Sequence, residues 1–203
     1  MENNKEKFIS YLKSTNREGV DYVIEDLEDL GFFTAPASTR FHLNEEEGLL
    51  VHSLNVCDMA LQIRELILAE DDSLREKLPR ESVIIAALLH DVCKADIYKK
   101  TIKKKKNNIG IWEDVEGYTV DFSGLPIGHG EKSVIRLLCS GLYLTDDEML
   151  AIRWHMSSWY LPFQSQEMIS SLNTAKNQCP LLSLIQAADG ISANILELKK
   201  YEE

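Results

Sequence analysis

The sequence has no Cys-x-x-Cys pair, and its four cysteines are widely separated, at Cys57, Cys93, Cys139 and Cys179. This spacing argues against a disulfide framework. Cys57 and Cys93 fall inside helical patterns, where a free cysteine behaves as a small buried hydrophobe. Free thiols are typical of a reducing compartment, so we predict a cytoplasmic protein.

Long apolar runs are also missing. The N-terminal stretch Met-Glu-Asn-Asn-Lys-Glu-Lys is polar and no apolar segment follows it, so we expect no signal peptide. The longest apolar run is far shorter than a membrane span. No membrane partner is therefore expected.

Basic residues are in the minority, with 22 lysines and arginines against 33 acidic residues and a net charge of −11. This balance argues against a surface built throughout to bind nucleic acid, although a local basic patch is compatible with it. The 44% hydrophobic and 27% charged content is that of an ordinary globular chain. At 203 residues the chain forms one large domain, or one domain with an appendage.

Apolar spacing predicts an all-α fold with one insertion. Residues 1–34 are expected to form an N-terminal helical segment that packs on a core domain of residues 35–203. A β-hairpin at about 99–127, turning at Asn107–Gly110, interrupts this domain. The main helices are predicted over 5–13, 17–30 (capped by Asn16), 47–68, 81–98, 128–141, 145–155 (opened by a capping box at Thr145) and 180–200.

The first arm of the hairpin is rich in lysine, at Lys99, Lys100 and 103–106. Six lysines near a functional site would attract polyanions. They would equally suit a solvated arm that resists pairing with other strands. Both interpretations remain open from the sequence.

The chain is organised around the helix predicted over 81–98. Seven consecutive apolar residues, 83–89, lead directly into His90, Asp91 and then Lys94. Adjacent residues are about 100° apart around a helix, so His90 and Asp91 can reach one ion between them. Burying these groups is costly unless they pair or bind a metal. A His-Asp dipeptide also occurs by chance, so it indicates a metal site only if other histidines join it.

Upstream, residues 32–42 form an irregular loop that ends in Arg40, Phe41 and His42. Loops of this composition usually pack over another part of the molecule. Arg40 could clamp a phosphate or be an ordinary surface arginine.

Further metal-ligand side chains fall on separate predicted helices. Imidazoles and carboxylates suit divalent transition metals, and helical bundles build such sites from inward-facing side chains. One histidine alone is more often structural, whereas the whole set is hard to explain by coincidence. The candidate ligands are His52, His90, Asp91, His129, His155 and Asp189.

The order His…His-Asp…Asp resembles the defining pattern of the HD superfamily of metal-dependent phosphohydrolases, over about residues 35–197. The segments 48–53 and 88–94 resemble its first two motifs. The resemblance implies that His52, His90, Asp91 and Asp189 bind the principal metal. His129 and His155 match the histidines that hold a second ion in two-metal members, with Asp91 bridging. Where the family usually has glycine before the lysine, this chain has Cys93, which leaves the ligands intact.

The resemblance also implies a reaction and a cofactor. One or two divalent ions (Mn, Fe, Ni, Co, Zn or Mg) would activate a water for attack on a nucleotide or related phosphoester. Asp91 and Lys94 would be catalytic, and Arg40, His42 and Lys94 would bind substrate. A base could stack on one of several aromatic residues, although such residues are more often core. These are Trp112, Trp154, Trp159 and Tyr160.

Three other functions remain open. The same six ligands are carried by HD-fold mixed-valent di-iron oxygenases, and ligand type does not fix the metal. Segments 35–52 and 126–133 resemble the HD domain of a bacterial 3′-to-5′ exoribonuclease family, which would make a short RNA or DNA end a partner. Some HD-like domains act only as binding modules, but these have lost ligands. A homodimer through the apolar stripe of helix 17–30 is also compatible with the sequence.

Overall fold

The computed structural model describes residues 3–159 and 165–198. The fold is a helical bundle with one inserted two-stranded sheet, as the sequence predicts. The helices are α1 (Asn4–Ser14), α2 (Val20–Asp29), α3 (Gly48–Glu70), α4 (Arg80–Leu89), α5 (Lys94–Ile97), α6 (His129–Cys139), α7 (Asp146–Trp154), α8 (Gln166–Gln178) and α9 (Pro180–Ile191).

The middle of the bundle is α4, which packs against α1, α3, α7 and α9. All seven residues from Val83 to Leu89 are fully buried. A helix that is apolar on every side must be surrounded by other elements, and these four helices provide that environment. The end of α4 therefore lies deep in the molecule, at a point where several helices meet.

The N-terminal helices pack on this core. Asn3 and Glu6 form a capping box at the start of α1. Phe8 of α1 is fully buried against Phe32 and Phe33, whose ring centroids lie 5.2 and 5.5 Å away. Close aromatic packing of this kind fixes the segment firmly against the bundle.

The predicted start of α2 is wrong. The helix begins at Val20, and its N-cap is Gly19 rather than Asn16. Gly19 has φ +90°, and a Cβ there would lie 2.2 Å from the carbonyl oxygen of Gly141. Arg17 is drawn out of the helix because its guanidinium pairs with Glu148, at 2.8 and 2.7 Å. A long-range contact thus overrides the local helical pattern.

The predicted hairpin is present as β1 (Tyr98–Lys106) and β2 (Trp112–Val120), paired antiparallel. The Asn107 side chain accepts hydrogen bonds from the backbone N–H groups of Ile109 and Ile111 and so closes the turn. The hairpin is tied to the loop before α3: Lys103 Nζ donates to the Thr39 carbonyl at 3.2 Å, and Lys100 pairs with Glu46 at 3.1 Å.

At the C-terminal end, the helix predicted over 180–200 is shorter. Its regular part, α9, ends at Ile191, and one π-helical turn follows over Ser192–Leu196. No single helix within the described ranges has the length and apolar character of a membrane span. Gln166–Gln178 and Pro180–Leu196, bent by 99°, meet that test of length and composition only as a pair.

Candidate metal centre

The helix predicted over 81–98 is interrupted where its ligands lie. After Leu89 the chain turns through 90–93 and resumes as the short α5. The prediction of one continuous helix is therefore wrong. Because Asp91 lies on this turn and not on a helix face, its carboxylate can be reached from several neighbouring helices at once.

The six predicted ligands come together around this turn, because the helices that carry them meet at the end of α4. His52 is on α3, His129 begins α6, His155 follows α7, and Asp189 is on α9. The ring centroids of consecutive histidines lie 5.3 Å apart (His52 to His90), 4.8 Å apart (His90 to His155) and 5.3 Å apart (His155 to His129).

Asp91 lies at the centre of this cluster, 1% exposed. Its Oδ1 is 2.6 Å from His129 Nε2 and 3.3 Å from His155 Nε2. Its Oδ2 is 3.2 Å from His90 Nε2 and 3.6 Å from His52 Nε2. Each oxygen thus faces a different pair of imidazoles, which is the arrangement that a bridging carboxylate would need.

Three buried imidazoles present an unused nitrogen to the site. Nδ1 of His90 donates to the Ala87 carbonyl at 2.8 Å, and Nδ1 of His155 donates to the Ile152 carbonyl at 2.7 Å. Nδ1 of His52 donates to the carboxylate of Glu197 at 2.9 Å. The Nε2 atoms of all three rings are buried without a hydrogen-bond partner among the described residues. A metal-binding histidine has this arrangement, in which the outer N–H fixes the ring and the inner lone pair faces the ion.

These residues fit a divalent metal by donor type as well. Two groups, His52–His90–Asp91 and Asp91–His129–His155, each place their ligand atoms within 4.8 Å of one another. Asp189 joins a third such group with His90 and His155. The two groups that share Asp91 contain the ligands that the family resemblance assigns to two ions, except that Asp189 falls in the third group.

Lys94 Nζ lies 2.5 Å from Asp91 Oδ2 and compensates its charge inside the protein. Burial alone would lower the pKa of Lys94, but the Asp91 carboxylate raises it above its ordinary value. Burial would likewise raise the pKa of Asp91, yet Lys94 and His90 hold it well below its usual range. Both groups are therefore charged at neutral pH.

Glu197, which the sequence analysis missed, lies directly behind His52. Its carboxylate accepts a hydrogen bond from His52 Nδ1 at 2.9 Å and another from Asn55 Nδ2 at 2.9 Å. Burial would lower the pKa of His52, but the carboxylates of Asp189 and Glu197 raise it to about 9. A metal ion that binds at Nε2 would therefore displace a proton from the ring. No local pattern marks Glu197, because it reaches the site only through the π-helical turn after α9.

Close packing of α6 on α7 brings the second pair of histidines together. A Cβ on Gly130 would lie 2.1 Å from the carbonyl oxygen of Arg153, so only glycine permits this approach. Cys93 lies on the other side of His129, with its Sγ 3.2 Å from His129 Nδ1. Burial raises the pKa of this thiol to about 12, so it is neutral and packs against the imidazole as a thiol.

A cavity of about 620 Å³ opens next to the cluster. Arg40, His42 and Lys94, the predicted substrate residues, all line it, together with Asp91, His155 and Asp189. Two exposed aromatic residues, Phe41 and Trp159, also lie in its wall. Phe41 was missed as a candidate contact. Tyr160, another of the aromatic residues predicted to stack on a base, lies outside the described residues.

The other predicted contacts lie elsewhere. Trp154 is buried in the core, with the Arg153 guanidinium 3.9 Å from the centre of its ring. Trp112 lies on the hairpin with Lys106 Nζ 5.2 Å from its ring centre. In the part of the chain that the structure describes, no hairpin lysine lines the cavity.

Comparison with known proteins agrees with this geometry. The family model for the HD domain matches residues 49–194, which include all six candidate ligands. No curated protein and no solved structure matches the chain. The chain therefore belongs to the HD domain family, whose members are generally metal-dependent phosphohydrolases.

Proposed function

We propose that this protein is a metal-dependent phosphohydrolase that acts on a small nucleotide or related phosphoester. The observation that carries the proposal is the set of three buried Nε2 atoms, without hydrogen-bond partners among the described residues, that surround the Asp91 carboxylate. Groups of this kind are costly to bury unless an ion uses them. Membership of the HD domain family supports the same chemistry.

His52, His90, Asp91 and Asp189 would hold the principal ion. Asp91, His129 and His155 would hold a second ion in the same cluster. Divalent ions in these positions would polarise phosphoryl oxygens and lower the pKa of a coordinated water.

Besides the metal ions, the Lys94 ammonium would supply a positive charge for catalysis. Its ammonium lies on the wall of the cavity, against the same Asp91 oxygen that faces His52 and His90. There it can donate to a non-bridging phosphoryl oxygen and stabilise the charge that builds up during attack. Arg40, at the exposed rim, can bind a second phosphate through its planar guanidinium. His42 borders the same space and can orient the substrate.

The dimensions and charge of the molecule favour a small substrate. A cavity of about 620 Å³ lies within the range that holds small ligands and cofactors. The net charge of −11 is unfavourable for a long polyanion. The exposed rings of Phe41 and Trp159 at the wall can stack on a nucleobase.

A substrate screen tests this proposal. Protein loaded with Mn²⁺ is incubated with nucleoside mono-, di-, tri- and cyclic phosphates and with short RNA, and phosphate or nucleoside release is measured. Turnover of one or more small phosphoesters is expected, and it should disappear in His90→Ala. Activity on short RNA alone would indicate the exoribonuclease alternative. Substrate-dependent oxygen uptake by an iron-loaded sample would indicate the di-iron oxygenase.

Replacing Lys94 should separate catalysis from metal binding. In Lys94→Met we expect turnover to fall by roughly 10²–10³-fold, because a charge-stabilising donor is lost. Metal content should not fall, because Lys94 is not a candidate ligand and its ammonium only competes with an ion for the Asp91 oxygen. Metal analysis and steady-state kinetics on the hydrolysed substrate check both points. Lys104→Met, on the exposed hairpin, is the matched control; loss of metal from Lys94→Met would contradict the assigned role.

A further inference from the structure

We infer that Glu197 is a positioning residue that orients His52 toward the metal, with Asn55 holding the Glu197 carboxylate in place. Neither residue belongs to the candidate ligand set. The inference rests on the metal centre of the proposed function and does not depend on the reaction that the centre performs.

The contacts form a chain from the C-terminal turn to the site. Both Glu197 oxygens lie within hydrogen-bond distance of His52 Nδ1, at 2.9 and 3.1 Å. Asn55, one turn further along α3, donates to Oε1 at 2.9 Å. The Glu197 side chain is 2% exposed, so these bonds are sheltered from competing water. The His52 ring is therefore held from behind, with Nε2 facing Asp91 and Asp189.

This carboxylate partner distinguishes His52 from His90 and His155. The outer N–H groups of His90 and His155 go to backbone carbonyls of their own helices. Those bonds form wherever the helix forms, whereas the bond of His52 requires a residue 145 positions away in the chain. A carboxylate partner also makes the imidazole a stronger donor to a metal. The metal affinity of the site thus depends on the docking of the turn over Ser192–Leu196.

A second arrangement is possible for the same atoms, because His42, His52 and Glu197 are close enough to hold an ion of their own. The positioning role is favoured by distance: His42 Nε2 is 4.0 Å from Glu197 Oε2, whereas His52 Nδ1 is at hydrogen-bond distance. With its N–H donated to Glu197, His52 can offer only Nε2 to a metal, and that atom faces the principal site.

Metal affinity measured without any substrate tests the inference. Mn²⁺ and Co²⁺ dissociation constants are determined by competition with a chelator for the wild type, Glu197→Gln, Glu197→Ala and Asn55→Ala. Glu197→Ala should bind 10–100-fold more weakly, the usual effect of losing an outer partner of a ligand. Glu197→Gln should lose less metal affinity than Glu197→Ala. Its amide oxygen can still accept the hydrogen bond from His52 Nδ1, although the negative charge is gone. The visible spectrum of the Co²⁺-loaded variants should shift, since the His52 donor changes.

The control is Glu70→Gln, which removes an exposed carboxylate from the far end of α3 and should leave the affinity unchanged. At saturating metal, Glu197→Ala should still bind as many ions as the wild type. Loss of exactly one ion at saturation would instead make Glu197 a direct ligand. A lower melting temperature of the metal-free protein with unchanged metal affinity would leave Glu197 a purely structural role. Either result overturns the inference, and neither depends on finding a substrate.

Discussion

Asp91→Asn should lose both its metal and its activity, with turnover falling by roughly 10³-fold or more. The substitution keeps the size of the side chain and removes the charge that faces all four ligand histidines. Metal analysis and kinetics on the substrate found in the screen provide the measurement. Asp114→Asn, an exposed carboxylate on β2, should match the wild type in both assays.

The same substitution leaves the buried Lys94 ammonium without its partner, so the metal-free protein should also lose about 3–5 kcal/mol of stability. The double variant Asp91→Asn/Lys94→Met removes both charges and should regain most of that stability while remaining inactive. This pair separates misfolding from loss of the site. An Asp91→Asn protein that retains full metal content and turnover would show that Asp91 does not bridge the cluster.

Arg17→Ala should be strongly destabilising although Arg17 lies far from the site, with a loss of about 3 kcal/mol. The Glu148 side chain is fully buried and receives two bonds from the Arg17 guanidinium. Removing Arg17 leaves that carboxylate buried without a compensating charge. Urea unfolding followed by circular dichroism measures the difference.

Lys13→Ala is a suitable comparison because its partner Asp21 is exposed, as is Lys13 itself. An exposed ion pair contributes at most about 1 kcal/mol, so this variant should be close to wild type. In Arg17→Ala/Glu148→Gln the buried charge is absent, and part of the lost stability should return. Equal stability of Arg17→Ala and Lys13→Ala would contradict the importance of the buried pair.

Those parts of the fold that depend on local pattern were predictable from the sequence. The capping box at Thr145 is present, with Glu148 bonded back to the Thr145 N–H at 2.9 Å. The hairpin forms where apolar spacing loses its helical period, and it turns at Asn107. The long helix predicted over 47–68 spans Gly48–Glu70. Each of these features is encoded within a few neighbouring residues.

The parts that differ depend on contacts between distant residues. Helix propensity favours continuing α4 through His90, but the structure turns there so that Asp91 meets side chains from four other elements. Arg17 lies in a sequence with a helical pattern, but it is outside α2 because its guanidinium pairs with Glu148. Glu197 lies between two leucines at the end of an apolar helix, and only the fold reveals its position behind His52.

Convergence of the six ligands was expected from their residue types and order, and the geometry agrees with that expectation. The sequence could not show which histidines face which oxygen of Asp91, because those distances depend on how the helices cross. Nor could it show that the inner nitrogens of three rings are left available. That property arises from the carbonyl and carboxylate partners of their outer nitrogens.

The hairpin is fastened to the loop before α3 through Thr39 and Glu46, and that loop carries Arg40 and His42 at the mouth of the cavity. The strands leave the bundle just after α5 and return just before α6, so they can change in length or composition without displacing a ligand. A change in the hairpin would therefore reach the mouth of the cavity through Thr39 and Glu46 and leave the candidate metal ligands in place.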